Sequence, residues 1–324
     1  MVVRARVTGY GSYLPERILT NAEMETIVDT SDAWIVERTG IRQRHIAAKG
    51  EYTSHLGTKA AAAAIAKAGL EPNDIDLVLL ATTTPDDTIP SSAIKIQHQL
   101  GMTRGAAFDI NAACAGFVYG LATADSFIRS GSAKRVLVIG AETYSRIVDW
   151  KDRSTCILFG DGAGAVVLEA SEGKGDNTDR GVLFARIYSD GQHHAILGTT
   201  GGVSSTGTSG VLTMAGKEVF RHGVARMAEG VEEGLTVLGM APGDLDWLIP
   251  HQANVRIMQG VAKRLGVPEE KVVSTVDQHA NTSAASIPLA LDFAAEKGLL
   301  KPGQLLALPA LGAGLTWGAC ILRW

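Results

Sequence analysis

This chain contains an approximate copy of itself. The segment Gly69-Leu-Glu-Pro72-Asn-Asp74-Ile75-Asp76 returns as Gly239-Met-Ala-Pro242-Gly-Asp244-Leu245-Asp246, 170 positions on. Asp125 and Gly131 are echoed by Asp292 and Gly298, both 167 positions later, and Gly164-Ala-Val-Val-Leu168 by Gly318-Ala-Cys-Ile-Leu322. Three matches in one order imply a structural unit used twice, which narrows the fold to two similar halves about a pseudo-twofold axis. Under the offset of 167, Cys114 falls on Asn281, so these residues are expected to open corresponding helices that meet across the axis.

Length agrees with two halves, because 324 residues exceed one ordinary core. The charged, glycine-rich stretch 169–180 sets the expected boundary, giving units 1–172 and 173–324. Short apolar runs alternate with helical periodicity, the signature of an α/β fold. Strands are expected at 2–8, 77–82, 106–110, 135–140, 165–168, 182–188, 247–249, 272–275, 305–308 and 319–322. The clearest helices are 58–68 and 115–129; the second spaces Phe117, Leu121, Ala124 and Ile128 on one face and stops at Ser130-Gly131. The Gly, Ser and Thr of 198–210 read as a mobile loop.

Charge and composition remove several classes of function. A net charge of −4 gives no general attraction to nucleic acid or membrane. The longest apolar runs, such as 60–66 and 136–139, are too short to span a bilayer, and the first residues read as a strand rather than a signal. Three cysteines without close pairing fit a reducing cytoplasm.

Chemistry gathers at the carboxyl ends of strands, where open α/β sheets bind ligands. Cys114 follows the strand 106–110 and opens a helix, where terminal N–H groups are expected to lower the thiol pKa and supply a nucleophile. His251 ends the strand at 247–249, Asn281 follows 272–275, and the glycine-rich turn 311–315 follows 305–308. Cys156 and Cys320 read as packing residues, and His279 as a weaker competitor of His251. Arg256, Lys263 and Arg264 flank an apolar stripe of Val255, Met258, Ala262 and Leu265 at helical spacing, which suits either a docking face or an ordinary solvated one.

The segments Ala112-Ala-Cys-Ala-Gly116, Phe159-Gly-Asp-Gly-Ala-Gly164, Pro250-His-Gln-Ala-Asn254, Asn281-Thr-Ser-Ala-Ala-Ser286 and Thr316-Trp-Gly318 resemble those of β-ketoacyl-acyl carrier protein synthase III, a thiolase-superfamily family. The resemblance covers essentially the whole chain, and Asn281 separates it from relatives with Cys-His-His or Cys-His-Cys sites. It implies a thiolase-like α/β fold of two duplicated halves layered αβαβα. It also implies an initiating condensation of fatty-acid synthesis. An acyl-CoA, expected to be acetyl-CoA, acylates Cys114; His251 and Asn281 then assist decarboxylation of malonyl-acyl carrier protein and attack on the acyl group.

By the same resemblance, backbone N–H groups of Cys114 and Ala313 form an oxyanion hole. Trp34 and Arg153 stack on the adenine of CoA, Thr30 and Arg38 lie near its nucleotide or phosphates, and Asn254 faces the pantetheine. Ile89, reaching across a homodimer interface, closes the partner's acyl pocket, with Tyr144, Phe159 and Leu212 lining it; the bulk of Tyr144 implies short starters. Arg221, Arg256, Lys263 and Arg264 receive the acidic carrier protein. No metal and no cofactor are implied, acyl-CoA being a substrate. The family usually has Gly where Ala313 and Ala280 stand, and Ala disfavours positive φ. The alternatives are a paralogue priming a polyketide or other secondary pathway, and a carrier-protein-binding relative that does not condense.

Overall fold

Runs of Val, Leu, Ile and Ala form strands that assemble into two sheets of one design. The computed structural model describes residues 1–324. The first sheet comprises β1 (Val2–Tyr13), β2 (Leu77–Ala81), β3 (Ala106–Ile110), β4 (Arg135–Thr143) and β5 (Asp161–Gly173), in the order β1-β5-β4-β2-β3. The second comprises β6 (Gly181–Ser189), β7 (Trp247–Leu248), β8 (Leu305–Gly312) and β9 (Thr316–Arg323), in the order β6-β9-β8-β7. Strand by strand the two orders match, and so do their directions. β2 and β4 pair in parallel, as do β7 and β8, while β4 with β5 and β8 with β9 pair antiparallel.

One expected strand is nearly lost. Of 272–275 only Val272 bridges to a neighbour, Leu248, in the place where β3 stands in the first sheet. The side chain of Gln252 takes the missing ladder bonds: its Nε2 donates to Val273 O at 3.2 Å, and its Oε1 accepts from Thr275 N at 2.8 Å. Other expectations shift at their edges. β5 runs to Gly173, leaving a short turn in which Asp179 accepts from the N–H groups of Lys174 and Gly175 and from Arg4 Nε. The stretch 198–210 is a small hairpin between Leu197–Thr199 and Leu212–Met214 that encloses the short helix Val203–Thr206.

The helices that build the layers and the site include α1 (Asp32–Thr39), α2 (Thr53–Lys67), α3 (Gly116–Arg129), α4 (Gly216–Val237), α5 (Val255–Leu265) and α6 (Ser286–Glu296). Helix α2 buries its alanine-rich face on the outside of the first sheet, and α4 and α5 cover the outside of the second. Between the sheets lie α3 and α6, whose buried Phe117, Leu121, Ile128, Ile287 and Leu291 share one core with residues of both sheets. The layering is therefore αβαβα. Phe117, Leu121, Ala124 and Ile128 are all buried, as their spacing predicts, and Gly131 follows at φ 76°.

The central helices begin alike, but not in the register given by the 167 offset. Each follows a 3₁₀ turn, Ala113–Ala115 before α3 and Ser283–Ala285 before α6. Each turn opens with a non-glycine residue at positive φ, Ala113 at 47° and Ser283 at 51°. In each, the N–H of that residue donates to the Oδ1 of an asparagine two residues back, Asn111 at 3.5 Å and Asn281 at 2.9 Å. The structural twin of Asn281 is thus Asn111, and that of Cys114 is Ala284, an offset of 170. The 167 spacing of Asp125 and Asp292 arises because three residues are lost further along the second helix. The turns still meet across the axis: a Cβ on Gly116 would stand 3.4 Å from that of Ala284.

Candidate active site

Cys114 follows β3, His251 follows β7, and Asn281 follows the short helix Val276–His279; all three line one cavity of about 560 Å³. Cys114 sits in the 3₁₀ turn ahead of α3 and is 7% exposed. The close approach of β8 holds it from behind, since a Cβ on Gly312 would lie 2.6 Å from Cys114 N. The expected lowering of its pKa is overturned. Burial, reinforced by the Glu142 carboxylate, pushes the thiol up to about 12, and the hydrogen bond from the Ser283 side chain offsets only part of it.

His251 is buried just beyond β7 and anchored through its backbone N–H to Pro309 O at 2.9 Å. Its Nδ1 lies 2.7 Å from Ser286 Oγ, and burial lowers its pKa to about 3, so the ring is neutral. Asn281 is clasped on both sides of its peptide plane: its N–H donates to Leu158 O, and its carbonyl accepts from Gly160 N. Its Oδ1 is occupied by the N–H of Ser283, which leaves Nδ2 as the group open to a ligand.

The cavity mouth carries part of the expected CoA set. Trp34 and Arg38 line it, with Ser154, Asn254 and Arg256. The guanidinium carbons of Arg38 and Arg153 lie 4.6 and 4.8 Å from the Trp34 ring centre. Ser31 caps α1 by accepting from Trp34 N, and Asn254 caps α5 by accepting from Ile257 N. Arg153 and Thr30 do not line the cavity; the Thr30 hydroxyl is buried without a partner.

Other expected residues are dispersed. Phe159 lines the cavity beside Leu158 and Leu197. Tyr144 stacks on Phe159 at 4.8 Å and is buried with Leu212 behind it, so neither reaches the cavity. Ile89 is 83% exposed and away from it. The basic patch is partly neutralised: Arg221 pairs with Glu218 at 2.6 Å, and Arg264 with Glu229 at 3.2 Å and Glu232 at 3.8 Å. Arg256 and Lys263 are exposed and form no ion pair. Ala313 does not need a positive φ, because Gly314 takes that conformation at 133°; the strain falls on Ala280, at φ 58°. His279 is buried, with Nδ1 unpartnered, and does not enter the cavity. Cys156 and Cys320 are buried in the packing, as expected.

Sequence reading missed Lys217 and Phe220, which α4 supplies to the far wall, and Met214 from the hairpin strand before it. It also missed Ser283, Ser286 and Glu142 behind the catalytic groups. A polar residue ending the apolar run 136–141 was the available signal for Glu142. A larger open groove of about 860 Å³, around Tyr13, Glu51 and Lys59, lies away from this chemistry, and Glu51 there is already held by Tyr13 and Lys59.

The family model described as 3-oxoacyl-[acyl-carrier-protein] synthase III matches residues 108–191, and the model of its C-terminal part matches 235–324. A β-ketoacyl-[acyl-carrier-protein] synthase III of Allorhizobium ampelinum is 59% identical over 323 residues, covering 100% of both chains. The solved structure of a 3-oxoacyl-[acyl-carrier-protein] synthase III from Aquifex aeolicus is 47% identical, with a TM-score of 0.93, covering 99% of this chain and 100% of that one. A priming β-ketosynthase of the R1128 polyketide biosynthetic pathway is 37% identical, with a TM-score of 0.90, covering 100% and 98%. With two family models matched and identity sustained from end to end, this chain belongs to the β-ketoacyl-acyl carrier protein synthase III family.

Proposed function

We propose that the chain starts fatty-acid synthesis by joining an acyl group carried on Cys114 to the two-carbon unit that malonyl-acyl carrier protein yields on losing CO₂. The observation that carries this assignment of roles is the convergence of Cys114, His251 and Asn281 on one cavity. Cys114 Sγ attacks the acyl-CoA carbonyl, the C–S bond to CoA breaks, and the thiol proton leaves with the CoA sulfur. The resulting acyl thioester waits in a water-poor pocket beside Phe159 and Leu197.

Malonyl-acyl carrier protein then loses CO₂, and the bonding electrons pass into its thioester carbonyl. His251 Nε2–H and Asn281 Nδ2–H donate to the oxygen on which charge develops; losing one such donor costs about 10²–10³-fold in rate. The enolate carbon attacks the Cys114 thioester, whose oxygen is met by the backbone N–H groups of Cys114 and Ala313. The tetrahedral intermediate expels the Cys114 thiolate, which takes up a proton, and 3-oxoacyl-acyl carrier protein departs.

Trp34 and Arg38, with Arg153 and Thr30 close by, form the CoA end of the channel; the open Nδ2 of Asn254 suits the pantetheine amides. Arg256 and Lys263 are the better carrier-protein anchors, and Arg221 and Arg264 are weaker ones because acids already hold them. A division at 172/173 is supported by the first sheet ending at Gly173 and the second starting at Gly181. A homodimer is supported by β3, an unpaired edge strand with Phe108 exposed, and by the exposed Ile89; there Ile89 would close the partner's acyl pocket. Three buried free cysteines suit the cytoplasm, and no helix is long and apolar enough to cross a membrane. Higher identity to the fatty-acid enzyme, 47% against 37%, favours that pathway over polyketide priming.

The test follows the two half-reactions: intact-mass detection of acyl-Cys114 from a panel of acyl-CoA starters, and CO₂ release from malonyl-acyl carrier protein. Cys114→Ser abolishes the first. His251→Ala and Asn281→Ala retain it and lose the second. If His251→Ala cannot be acylated, His251 is the thiol's base and these roles are wrong.

A further inference from the structure

Glu142 is a fully buried carboxyl group that the reaction above does not use. It ends β4, and no Lys, Arg or His pairs with it. Its oxygens instead accept hydrogen bonds from Thr82 Oγ1 (3.1 Å), Thr83 N (3.0 Å), Thr83 Oγ1 (3.1 Å), Thr84 N (3.2 Å) and Thr84 Oγ1 (2.7 Å). The remaining donor comes from the other half of the chain: Ser283 Oγ, at 3.0 Å. Such complete satisfaction is what allows a carboxyl to persist in an apolar interior, although burial still raises its pKa.

Ser283 is the informative partner. It stands at φ 51°, a conformation that a non-glycine residue keeps only where its surroundings impose it. Two bonds do so from opposite ends of the residue. Ser283 Oγ is tied to Glu142, and Ser283 N–H is tied to Asn281 Oδ1 at 2.9 Å. The second bond turns the Asn281 amide so that Nδ2 is the end left for a ligand.

We propose that Glu142 is a positioning residue for condensation: by holding Ser283 Oγ across the junction of the halves, it fixes the Asn281 carboxamide with its donor toward the cavity. Glu142 touches no substrate. Its effect on decarboxylation and attack runs through Ser283 and Asn281; on Cys114 it acts only by its charge, which raises the thiol pKa, so losing it should not slow acylation. This rests on the role given above to Asn281.

The test measures both half-reactions for Glu142→Gln and Ser283→Ala, each alone and in an Asn281→Ala background. Ser283→Ala removes the link yet keeps the backbone N–H, and it carries the test if Glu142→Gln fails to fold. Each single variant is expected to slow CO₂ release about 10- to 100-fold, while acylation by acetyl-CoA changes far less: Glu142→Gln removes a charge that raises the thiol pKa, and Ser283→Ala removes a hydrogen bond that lowers it. In the Asn281→Ala background neither should slow CO₂ release further, because the group being positioned is gone. Equal losses in both half-reactions, or the same loss with and without Asn281, would overturn the proposal and leave Glu142 a fold residue. If Asn281→Ala alone leaves CO₂ release intact, the role of Asn281 itself fails and this inference falls with it.

Discussion

Ser286 Oγ lies 2.7 Å from His251 Nδ1 and at the same time accepts the N–H of Gln252 at 3.2 Å. The hydroxyl keeps its own proton, and donating it to Nδ1 puts the ring hydrogen on Nε2, the tautomer that the role proposed for His251 requires. In that tautomer a neutral imidazole with its pKa near 3 presents a donor, not a base, to the cavity. Nitrogen-15 NMR of labelled histidine should show this single neutral tautomer from about pH 5 to 8. Ser286→Ala should mix the tautomers and slow CO₂ release more than acylation. An imidazolium signal from His251 at pH 6 would contradict the assignment.

The Cys114 thiol should react slowly in the resting protein. With its pKa raised to about 12, the thiolate fraction at neutral pH is small and grows with every rise in pH. Alkylation by iodoacetamide, followed by intact mass, should accelerate about tenfold per pH unit between about pH 7 and 10. A plateau below pH 8 would mean that the start of α3 outweighs burial after all.

Ala280 occupies φ 58°, ψ −161°, a region nearly reserved for glycine. Its methyl group is buried in a hydrophobic cluster with Tyr144 and Phe159, so two effects oppose one another. Relief of strain is worth about 1–3 kcal/mol and the buried methyl about 0.8 kcal/mol, so strain wins. Ala280→Gly should raise the urea midpoint by an amount equivalent to about 1 kcal/mol, with an unchanged slope. A lower midpoint would show that the methyl packing dominates.

Charge reversal at Arg256 and Lys263 should raise the KM for malonyl-acyl carrier protein at low salt and leave acylation by acyl-CoA nearly intact. The same change at Arg221 or Arg264 should do less, because each already spends its charge on a neighbouring carboxylate. The difference should shrink as ionic strength rises, since exposed charges are screened over about 10 Å at 0.1 M salt. Equal sensitivity at all four positions would show that the ion pairs on α4 open during docking.

Features with a periodic or local signal were the ones legible in the sequence. The buried face of α3, the strand-end placement of Cys114 and His251, and the repeat are of that kind. The strand at 272–275 was not, because a glutamine side chain 20 or more residues away had replaced the neighbouring backbone. Glu142 and Ser283, 141 residues apart, have no local signature at all; only the assembled halves bring them together. The thiol pKa was misjudged for a similar reason. The helix start is visible in the sequence, whereas the depth of burial behind it is set by β8 and by a carboxylate from β4. The repeat was seen, but its register slipped because the three residues missing from α6 lie beyond the turn that matters.

The paired turns before α3 and α6 show how an asymmetric reaction centre arises from a symmetric frame. Asn111 and Ala284 occupy the positions of Asn281 and Cys114 in the opposite copy, on nearly the same backbone. Each copy thus holds a socket with an asparagine at its opening; the first adds the Cys114 thiol where the second has the methyl of Ala284, and only the second presents its asparagine to the cavity. Chemistry at one socket can change by replacing a side chain, while the frame that both sockets share stays as it is.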